Sequence, residues 1–183
     1  MRIIAGEFRG RKIIQPESMA VRPTKDRIRE AVFNVLAPVL PDSAVLDIFA
    51  GSGAYGLEGL SRGAKSALFV EKDRGCAGVI SENIRILGVE AISEVMSGDA
   101  SESIAKLGER KDKFDIIFAD PPYNKNMIKN ILIIINDYDI LSPSGLLIVE
   151  HHVKEVLPES QGGLFLCKTK TYGKTSISMY QKK

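Results

Sequence analysis

From residue 44 onward, short apolar runs alternate with amphipathic segments. Strands alternating with helices are typical of right-handed crossovers and of a parallel sheet with helices on both faces. The apolar runs are nearly continuous, as expected for strands buried on both sides. The runs predict strands at 44–49, 66–71, 92–98, 114–119 and 145–151, and the segments between them predict helices at 54–63, 73–88, 99–108 and 124–138.

The two ends of the chain have different patterns. Two alternating runs joined through Tyr172-Gly173 predict an antiparallel hairpin that completes the sheet. At the other end, the pattern predicts a small hairpin that pairs 3–5 with 12–14. A helix follows, with Thr24 as its N-cap and Pro38 at its end. We therefore expect an N-terminal extension, 1–40, and an α/β domain, 41–183.

Composition narrows the class of protein. The chain has 183 residues, of which 44% are hydrophobic and 26% charged, which is typical of a globular domain. No apolar run reaches membrane-spanning length, and the N-terminus has no signal-peptide pattern. Cys76 and Cys167 do not make a disulfide framework or a zinc site, so we expect reduced thiols in the cytoplasm. His151 and His152 have no metal-ligand partners at suitable spacing, and no metal is expected.

Charge is distributed unevenly along the chain. Residues 1–30 hold eight basic and four acidic side chains, so this head is 8 − 4 = +4. The remainder holds 25 − 8 = 17 basic and 23 − 4 = 19 acidic side chains, or −2. A basic head indicates a polyanionic partner, although a solvated charged surface gives the same count.

Acidic residues occur at the ends of four predicted strands. Ligands of open α/β sheets bind outside the carboxyl ends of the strands, so these side chains are candidates for one site. A G-x-G-x-x-G turn follows the first strand, and an acid lies twenty residues after its first glycine, as in dinucleotide-binding proteins. The acids are Asp47, Glu71, Asp99 and Asp120, and the glycines are Gly51, Gly53 and Gly56.

The position of Asp47 favours S-adenosylmethionine over NAD. Its carboxylate would repel a pyrophosphate but attract the ammonium of an aminoacyl group. Gly51 and Gly53 let the backbone approach a ligand, and Glu71 would accept from ribose hydroxyls. In the segment Asp99-Ala100, the aspartate would accept from the adenine amine or cap the next helix.

The sequence Asp120-Pro121-Pro122-Tyr123 ends the fourth strand. Two prolines make a stiff segment that can aim acceptors at a planar amine. Tyr123 offers a face for a stacked base. An exocyclic base amine is a poor nucleophile, so it requires acceptors for its protons and close positioning of the methyl donor. These residues therefore indicate methylation of a base amine.

The motifs together resemble a known family. "DPPY" with "DIFAGSGAYGLEGLSRGA" is similar to amino-group methyltransferases of nucleic acids. With "RIIAGEFRGRKI" and "RPTKDRIREAVFNVL", nearly the whole chain resembles the RsmD family of bacterial 16S ribosomal RNA guanine-N2 methyltransferases. The resemblance implies a Rossmann-like methyltransferase sheet of seven strands, S-adenosylmethionine as donor and one guanine as target. Tyr55 and Gly59 stand where small or aliphatic residues such as Leu and Ala are usual in the family.

The resemblance also implies that the basic head binds RNA phosphates around a flipped guanine. The expected substrate is 16S rRNA, within a partly assembled 30S subunit. The alternatives are adenine-N6 methylation of DNA or RNA, an NAD-dependent oxidoreductase and a catalytically silent RNA-binding protein. The candidate RNA-binding residues are Arg9, Arg11, Lys12, Arg22, Lys25 and Arg27.

Overall fold

One mixed sheet of eight strands forms the centre of the molecule. The structure is a computed structural model that describes residues 1–16, 23–122 and 127–183, and the side chains of all of these except 23–25. The strands are β1 (Ala44–Ile48), β2 (Ser66–Glu71), β3 (Ser93–Ser97), β4 (Phe114–Ala119), β5 (Leu141–His152), β6 (Ser160–Gln161), β7 (Leu164–Tyr172) and β8 (Thr175–Lys182).

The strand order is β3-β2-β1-β4-β5-β8-β7-β6. The first five strands in this order are parallel. The last three are joined by antiparallel pairing, beginning with β8 against β5. The predicted α/β class and the C-terminal hairpin are confirmed. The sheet has seven long strands, as predicted, and β6 adds a two-residue edge strand that the pattern did not indicate.

Helices cover both faces of the sheet, and each face has its own hydrophobic core. The helices are α1 (Pro23–Leu36), α2 (Ala54–Ser61), α3 (Arg74–Leu87), α4 (Ala100–Glu109) and α5 (Met127–Asp137). Apolar residues of α1, α2 and α3 pack on one face, which we call the α1 face. Apolar residues of α4 and α5 pack on the other. None of the helices in the described residues is long and apolar enough to cross a membrane.

Two predicted boundaries are wrong by a few residues. Helix α1 begins at Pro23, so Thr24 lies in its first turn rather than at the N-cap. Strand β5 begins at Leu141 rather than 145, because Leu141 pairs with Phe114 ahead of an irregularity in the ladder. Neither shift changes the carboxyl ends of the strands, which carry the candidate site.

The N-terminal hairpin has a different register from the predicted one. Arg2 bridges Lys12, and the Ile3 amide donates to the Arg11 carbonyl at 3.0 Å. The turn closes at Gly10, which has φ +82°, a conformation that glycine adopts without strain. Its apolar side chains Ile3, Phe8 and Ile13 are buried in the α1-face core, so residues 1–16 pack tightly on the sheet domain.

Candidate active site

Four acidic residues lie along the carboxyl edge of the sheet. The strand order β3-β2-β1-β4 gives them the sequence Asp99, Glu71, Asp47, Asp120 across that edge. Asp47 pairs with Phe118, so Asp120 follows two residues later on the neighbouring strand. The negative charges of Asp120 and Glu71 both reach Asp47. The predicted cofactor acids and the predicted catalytic acid thus share one edge.

Asp47 is the most perturbed of these acids. Its side chain is 3% exposed, and its Oδ2 accepts a hydrogen bond from the Gly56 amide at 2.9 Å. Burial raises the pKa of Asp47 to about 8, against the opposing effect of the Gly56 hydrogen bond and with smaller contributions from the charges of Asp120 and Glu71. Burial therefore disfavours the ionised form of this carboxyl group, and an approaching cation would favour it.

Positive φ angles shape the glycine turn, and hydrogen bonds to Glu71 stabilise it. Gly51 and Gly53 have φ of +58° and +79°, and Gly53 caps the N-terminus of α2. Glu71 accepts from the Gly51 amide through Oε2 and from the Asp73 amide through Oε1, both at 2.8 Å. This carboxylate therefore joins the turn after β1 to the turn after β2.

Gly56, the third glycine of the motif, serves packing rather than ligand approach. A Cβ atom at this position would lie 2.3 Å from Cε1 of Phe69. Phe69 is fully buried in β2. The absence of a side chain at Gly56 therefore lets α2 lie directly on the sheet, which brings the helix N-terminus to the carboxyl edge.

Asp99 caps helix α4. Its Oδ1 accepts from the Ser101 amide at 3.0 Å, and its Oδ2 lies 3.3 Å from Nζ of Lys72. The capping hydrogen bond, followed by the Lys72 pair, lowers the pKa of Asp99. Of the two interpretations of Asp99, capping is present in the structure, and contact with adenine stays a prediction. Ala100 is buried at the first residue of α4.

Asp120 lies at the mouth of a narrow crevice between β4, β5 and α2. A second carboxylate, Glu150, lies level with it, because Ala119 pairs with Val149 in the preceding row. Pro121 is buried and Pro122 is exposed. Tyr123 lies outside the described residues. The crevice is lined by Tyr55, Phe118, Ala119, Asp120, Ile148, Glu150 and Ile177.

Tyr55 forms the floor of this crevice. Its hydroxyl donates to Oε2 of Glu150 at 3.1 Å, and its ring stacks on Phe118 with centroids 4.9 Å apart. Burial, followed by the charge of Glu150, raises the pKa of Tyr55 well above its usual range. Tyr55 therefore supplies a hydroxyl that orients Glu150. The sequence motifs do not mark Glu150, which lies near the carboxyl end of β5 and level with Asp120 just after β4.

Four of the candidate RNA-binding side chains can be examined. Arg9, Arg11, Lys12 and Arg27 are exposed; Arg22 and the side chain of Lys25 lie outside the described part of the chain. The Arg11 guanidinium lies 5.3 Å from the centroid of the Phe8 ring. These positions allow phosphate contacts, and RNA binding by them stays a prediction.

Two buried polar residues attach the N-terminal segment to the site. Glu58, which is fully buried, accepts from the Ile4 and Ala5 amides at 2.8 and 3.0 Å. Asn83, also fully buried, binds the backbone of Ile14 at 2.7 and 2.9 Å and donates to the Ser52 carbonyl at 3.0 Å. Asn83 therefore connects the basic head to the glycine turn.

The histidines and cysteines serve the fold. His151 is buried, its Nε2 lies 2.9 Å from Oγ of Ser178, and burial lowers its pKa. The described residues contain no cluster of three or more His, Cys, Asp or Glu side chains that could hold a metal ion. Cys76 and Cys167 are free thiols.

Comparison with known proteins identifies the family. A family model described as "Conserved hypothetical protein 95" matches residues 1–181. "Ribosomal RNA small subunit methyltransferase D" of Escherichia coli K12 is 37% identical over 182 residues, covering 100% of this chain and 90% of that protein. The protein of the same name from Haemophilus influenzae is 35% identical over 181 residues, covering 99% and 93%. The chain belongs to the RsmD family.

Solved structures agree with this assignment. The yhhF protein from Escherichia coli superimposes with a TM-score of 0.88 at 36% identity, covering 100% of this chain and 98% of that one. The "SAM Dependent Methyltransferase from Agrobacterium tumefaciens" matches with a TM-score of 0.66 at 19% identity, covering 89% and 63%, which is a likeness of fold. This RsmD-family chain has the Rossmann-like fold of S-adenosylmethionine-dependent methyltransferases.

Proposed function

We propose that this protein is an S-adenosylmethionine-dependent methyltransferase that methylates the N2 amine of a guanine in 16S rRNA. The observation that carries the proposal is the position of Asp120, on β4, directly beside the acid-and-glycine edge formed by β1, β2 and β3. One edge of the sheet thus offers a cofactor site and a base site side by side.

The residues on β1 to β3 suit S-adenosylmethionine. Gly51 and Gly53 have positive φ in the turn at the N-terminus of α2, where backbone amides can meet an anionic group. Asp47 is a buried acid whose ionised form would be favoured by an ammonium group. Glu71 and Asp99 are acceptors further along the edge, for ribose and adenine respectively. When bound, this cofactor supplies an electrophilic methyl group on a sulfonium.

The residues on β4 and β5 act on the base. Asp120 accepts one N–H of the exocyclic amine and takes the proton that the nitrogen loses as its bond to the methyl carbon forms. Pro121 and Pro122 hold this acid in a stiff segment. Tyr123 stacks on the base. Phe118 and Ile148 form an apolar wall of the crevice that Asp120 lines.

The pair Asp120 and Glu150 supports guanine rather than adenine. A guanine presents N–H donors from both its ring N1 and its N2 amine, whereas adenine presents one amine donor and an acceptor ring nitrogen. Two adjacent carboxylates can accept hydrogen bonds from neighbouring N–H groups of one base. An acceptor nitrogen that faced either carboxylate would be repelled. Glu150 keeps acceptor capacity beyond the hydrogen bond from Tyr55 because a carboxylate has about four lone-pair sites.

The basic head completes the proposal. Residues 1–40 form an RNA-binding extension of the catalytic domain, 41–183, and Arg9, Arg11, Lys12, Arg22, Lys25 and Arg27 contact phosphates around the target. Two relatives bear the name of a ribosomal RNA small subunit methyltransferase, which supports 16S rRNA as substrate. We infer that it is modified within a partly assembled 30S subunit in the cytoplasm.

Calorimetry and a turnover assay test the proposal together. We expect the protein to bind S-adenosylmethionine and not NAD, and to incorporate labelled methyl groups into small subunits from cells that lack this protein. Asp120→Ala should bind S-adenosylmethionine as the unaltered protein does but lose turnover by about 10²-fold or more. NAD binding without a response to S-adenosylmethionine, or full turnover by Asp120→Ala, would contradict the proposal.

A further inference from the structure

The C-terminal hairpin carries a second concentration of positive charge. Residues 164–183 contain five lysines and no acidic residue, a net charge of +5. The basic head holds +4 within a longer segment. The sequence pattern predicts the hairpin as part of the sheet and indicates no ligand for it. Two of its lysines serve the fold, because Lys182 pairs with Asp139 and Lys183 lies over the ring of Phe165.

The remaining lysines, Lys168, Lys170 and Lys174, lie on the face or edge of the sheet that carries the proposed base site. Glu150 pairs with Ile177, and Ile177 pairs with Lys170, so these three residues form one row across β5, β8 and β7. Ile177 lines the crevice beside Asp120. Lys170 is therefore on the same face as the catalytic acid, about 14 Å away across three strand spacings. Lys168 pairs with Met179 on this face, whose side chain packs in the α1-face core.

The tip of the hairpin extends this surface along the carboxyl edge. The Val153 amide, just past the end of β5, donates to the Lys174 carbonyl at 2.9 Å. Tyr172 is partly exposed, and Nζ of Lys170 lies 5.3 Å from its ring centroid. Lys168, Lys170 and Lys174 are exposed. Three cations and one aromatic ring thus lie together on the exposed part of the hairpin, on the far side of β8 from the crevice.

We propose that Lys168, Lys170 and Lys174, together with Tyr172, form a second RNA-binding surface, which we call the hairpin surface. It binds the phosphates of the strand that adjoins the target nucleotide, and Tyr172 stacks on a neighbouring base. The basic head packs on α2 and α3, on the β1 side of the base site. The hairpin surface lies on the β7 side. The RNA is therefore held on both sides of the flipped base. This inference rests on the proposed function.

Lysines on exposed edge strands also prevent pairing with another chain. Reversing the charge of one lysine distinguishes this role from RNA binding. The test compares Lys170→Glu with Lys106→Glu, which makes the same change in net charge on α4. Lys106 lies in the last turn of α4, toward the opposite edge of the sheet. Affinity for small subunits from cells lacking the protein is measured directly, as a Kd at several salt concentrations. Turnover by the unaltered protein is measured separately.

We expect Lys170→Glu to weaken the Kd for the subunit about 3- to 10-fold and to reduce the slope of log Kd against log salt concentration by about 1. Affinity for S-adenosylmethionine should not change. Lys106→Glu should keep the unaltered Kd, and Lys170→Arg should keep most of it. Equal Kd values and slopes for Lys170→Glu and Lys106→Glu would overturn the hairpin surface. Loss of methyl incorporation by the unaltered protein would instead contradict the proposed function, and the two failures are distinguishable.

Discussion

At the scale of single residues, two glycines of α2 face the sheet with very different clearances. A Cβ at Gly56 would lie 2.3 Å from Phe69, whereas a Cβ at Gly59 would lie no closer than 3.6 Å to any neighbour, the nearest being Val45. The first position excludes a side chain, and the second has room for a methyl group.

Gly56→Ala should therefore destabilise the protein by about 1–3 kcal/mol through overpacking against Phe69. Gly59→Ala should be neutral or stabilising by up to about 1 kcal/mol, because alanine is the better helix former. Urea unfolding of both variants measures the difference. A Gly56→Ala variant as stable as Gly59→Ala would mean that α2 does not pack on β2 as closely as described.

The buried carboxyl of Asp47 makes stability depend on pH. Its pKa of about 8 in the folded protein lies above the ordinary value near 4 for an unfolded aspartate. Between these two pKa values, the folded protein therefore holds a proton on Asp47 that the unfolded chain has lost. The contribution of this proton to stability is complete below about pH 4 and is lost as pH rises through 8. Asp47→Asn keeps an acceptor for the Gly56 amide and removes this titration.

We expect the unfolding free energy of the unaltered protein to fall relative to Asp47→Asn between about pH 4 and pH 8, by about 1.4 kcal/mol per pH unit at most, and then to level off. Thermal or urea unfolding across this range is the measurement. Parallel curves for the two proteins would show that Asp47 is ionised in the folded state. Asp47→Asn should also weaken S-adenosylmethionine binding if the carboxylate meets its ammonium.

At the scale of elements, the N-terminal segment and the glycine turn are joined through α3. Asn83 uses its amide oxygen and nitrogen on the backbone of Ile14 and also donates to Ser52. No other described side chain hydrogen-bonds both the segment and the turn. Loss of the Asn83 hydrogen bonds should therefore affect both the basic head and the glycine turn.

Asn83→Ala should raise amide hydrogen exchange both around Ile14 and in the glycine turn, and should weaken S-adenosylmethionine binding by several-fold. The buried backbone groups would lose partners, at a cost of about 1–3 kcal/mol. Ser81→Ala is the control, because Ser81 bonds only within α3, to the Ala77 carbonyl. Faster exchange near Ile14 alone would show that the two elements are not coupled.

Elements with strong periodicity were predictable from the sequence, and contacts between them were not. The strands β2 and β4 have the predicted bounds because each is a compact apolar run ended by polar residues. The hairpin register of residues 1–16 was missed because the partners of that segment are Glu58, Ser61 and Asn83, which are distant in sequence. A buried Glu or Asn inside a helix resembles any solvated polar residue until the fold is known.

At the scale of the whole molecule, strand order creates the site. Strands β1 and β4 are 66 residues apart in sequence, counted from Ile48 to Phe114, yet they are neighbours in the sheet. The acids at their ends could be listed from the sequence, because motif spacing marks them. Glu150 and the hairpin lysines could not be selected, because only the register of β5 against β4 aligns Glu150 with Asp120, and only the register across β5, β8 and β7 aligns the lysines with it.

The same arrangement explains how cofactor and base stay apart. In the proposed function, the cofactor acids follow β1, β2 and β3 and the base site lies at β4 and β5, so each ligand would have its own half of the edge. The Asp47 and Asp120 side chains stand where the two halves meet. Positioning of this kind provides most of the rate of a transfer whose leaving group is already good.

The identity of the modified nucleoside tests this account most directly. Small subunits from cells lacking the protein are incubated with it and labelled S-adenosylmethionine, and the 16S rRNA is digested and separated into nucleosides. We predict that the label appears as N2-methylguanosine at a single position. Label in N6-methyladenosine, or none in the RNA, would contradict the pairing of Asp120 and Glu150 with a guanine.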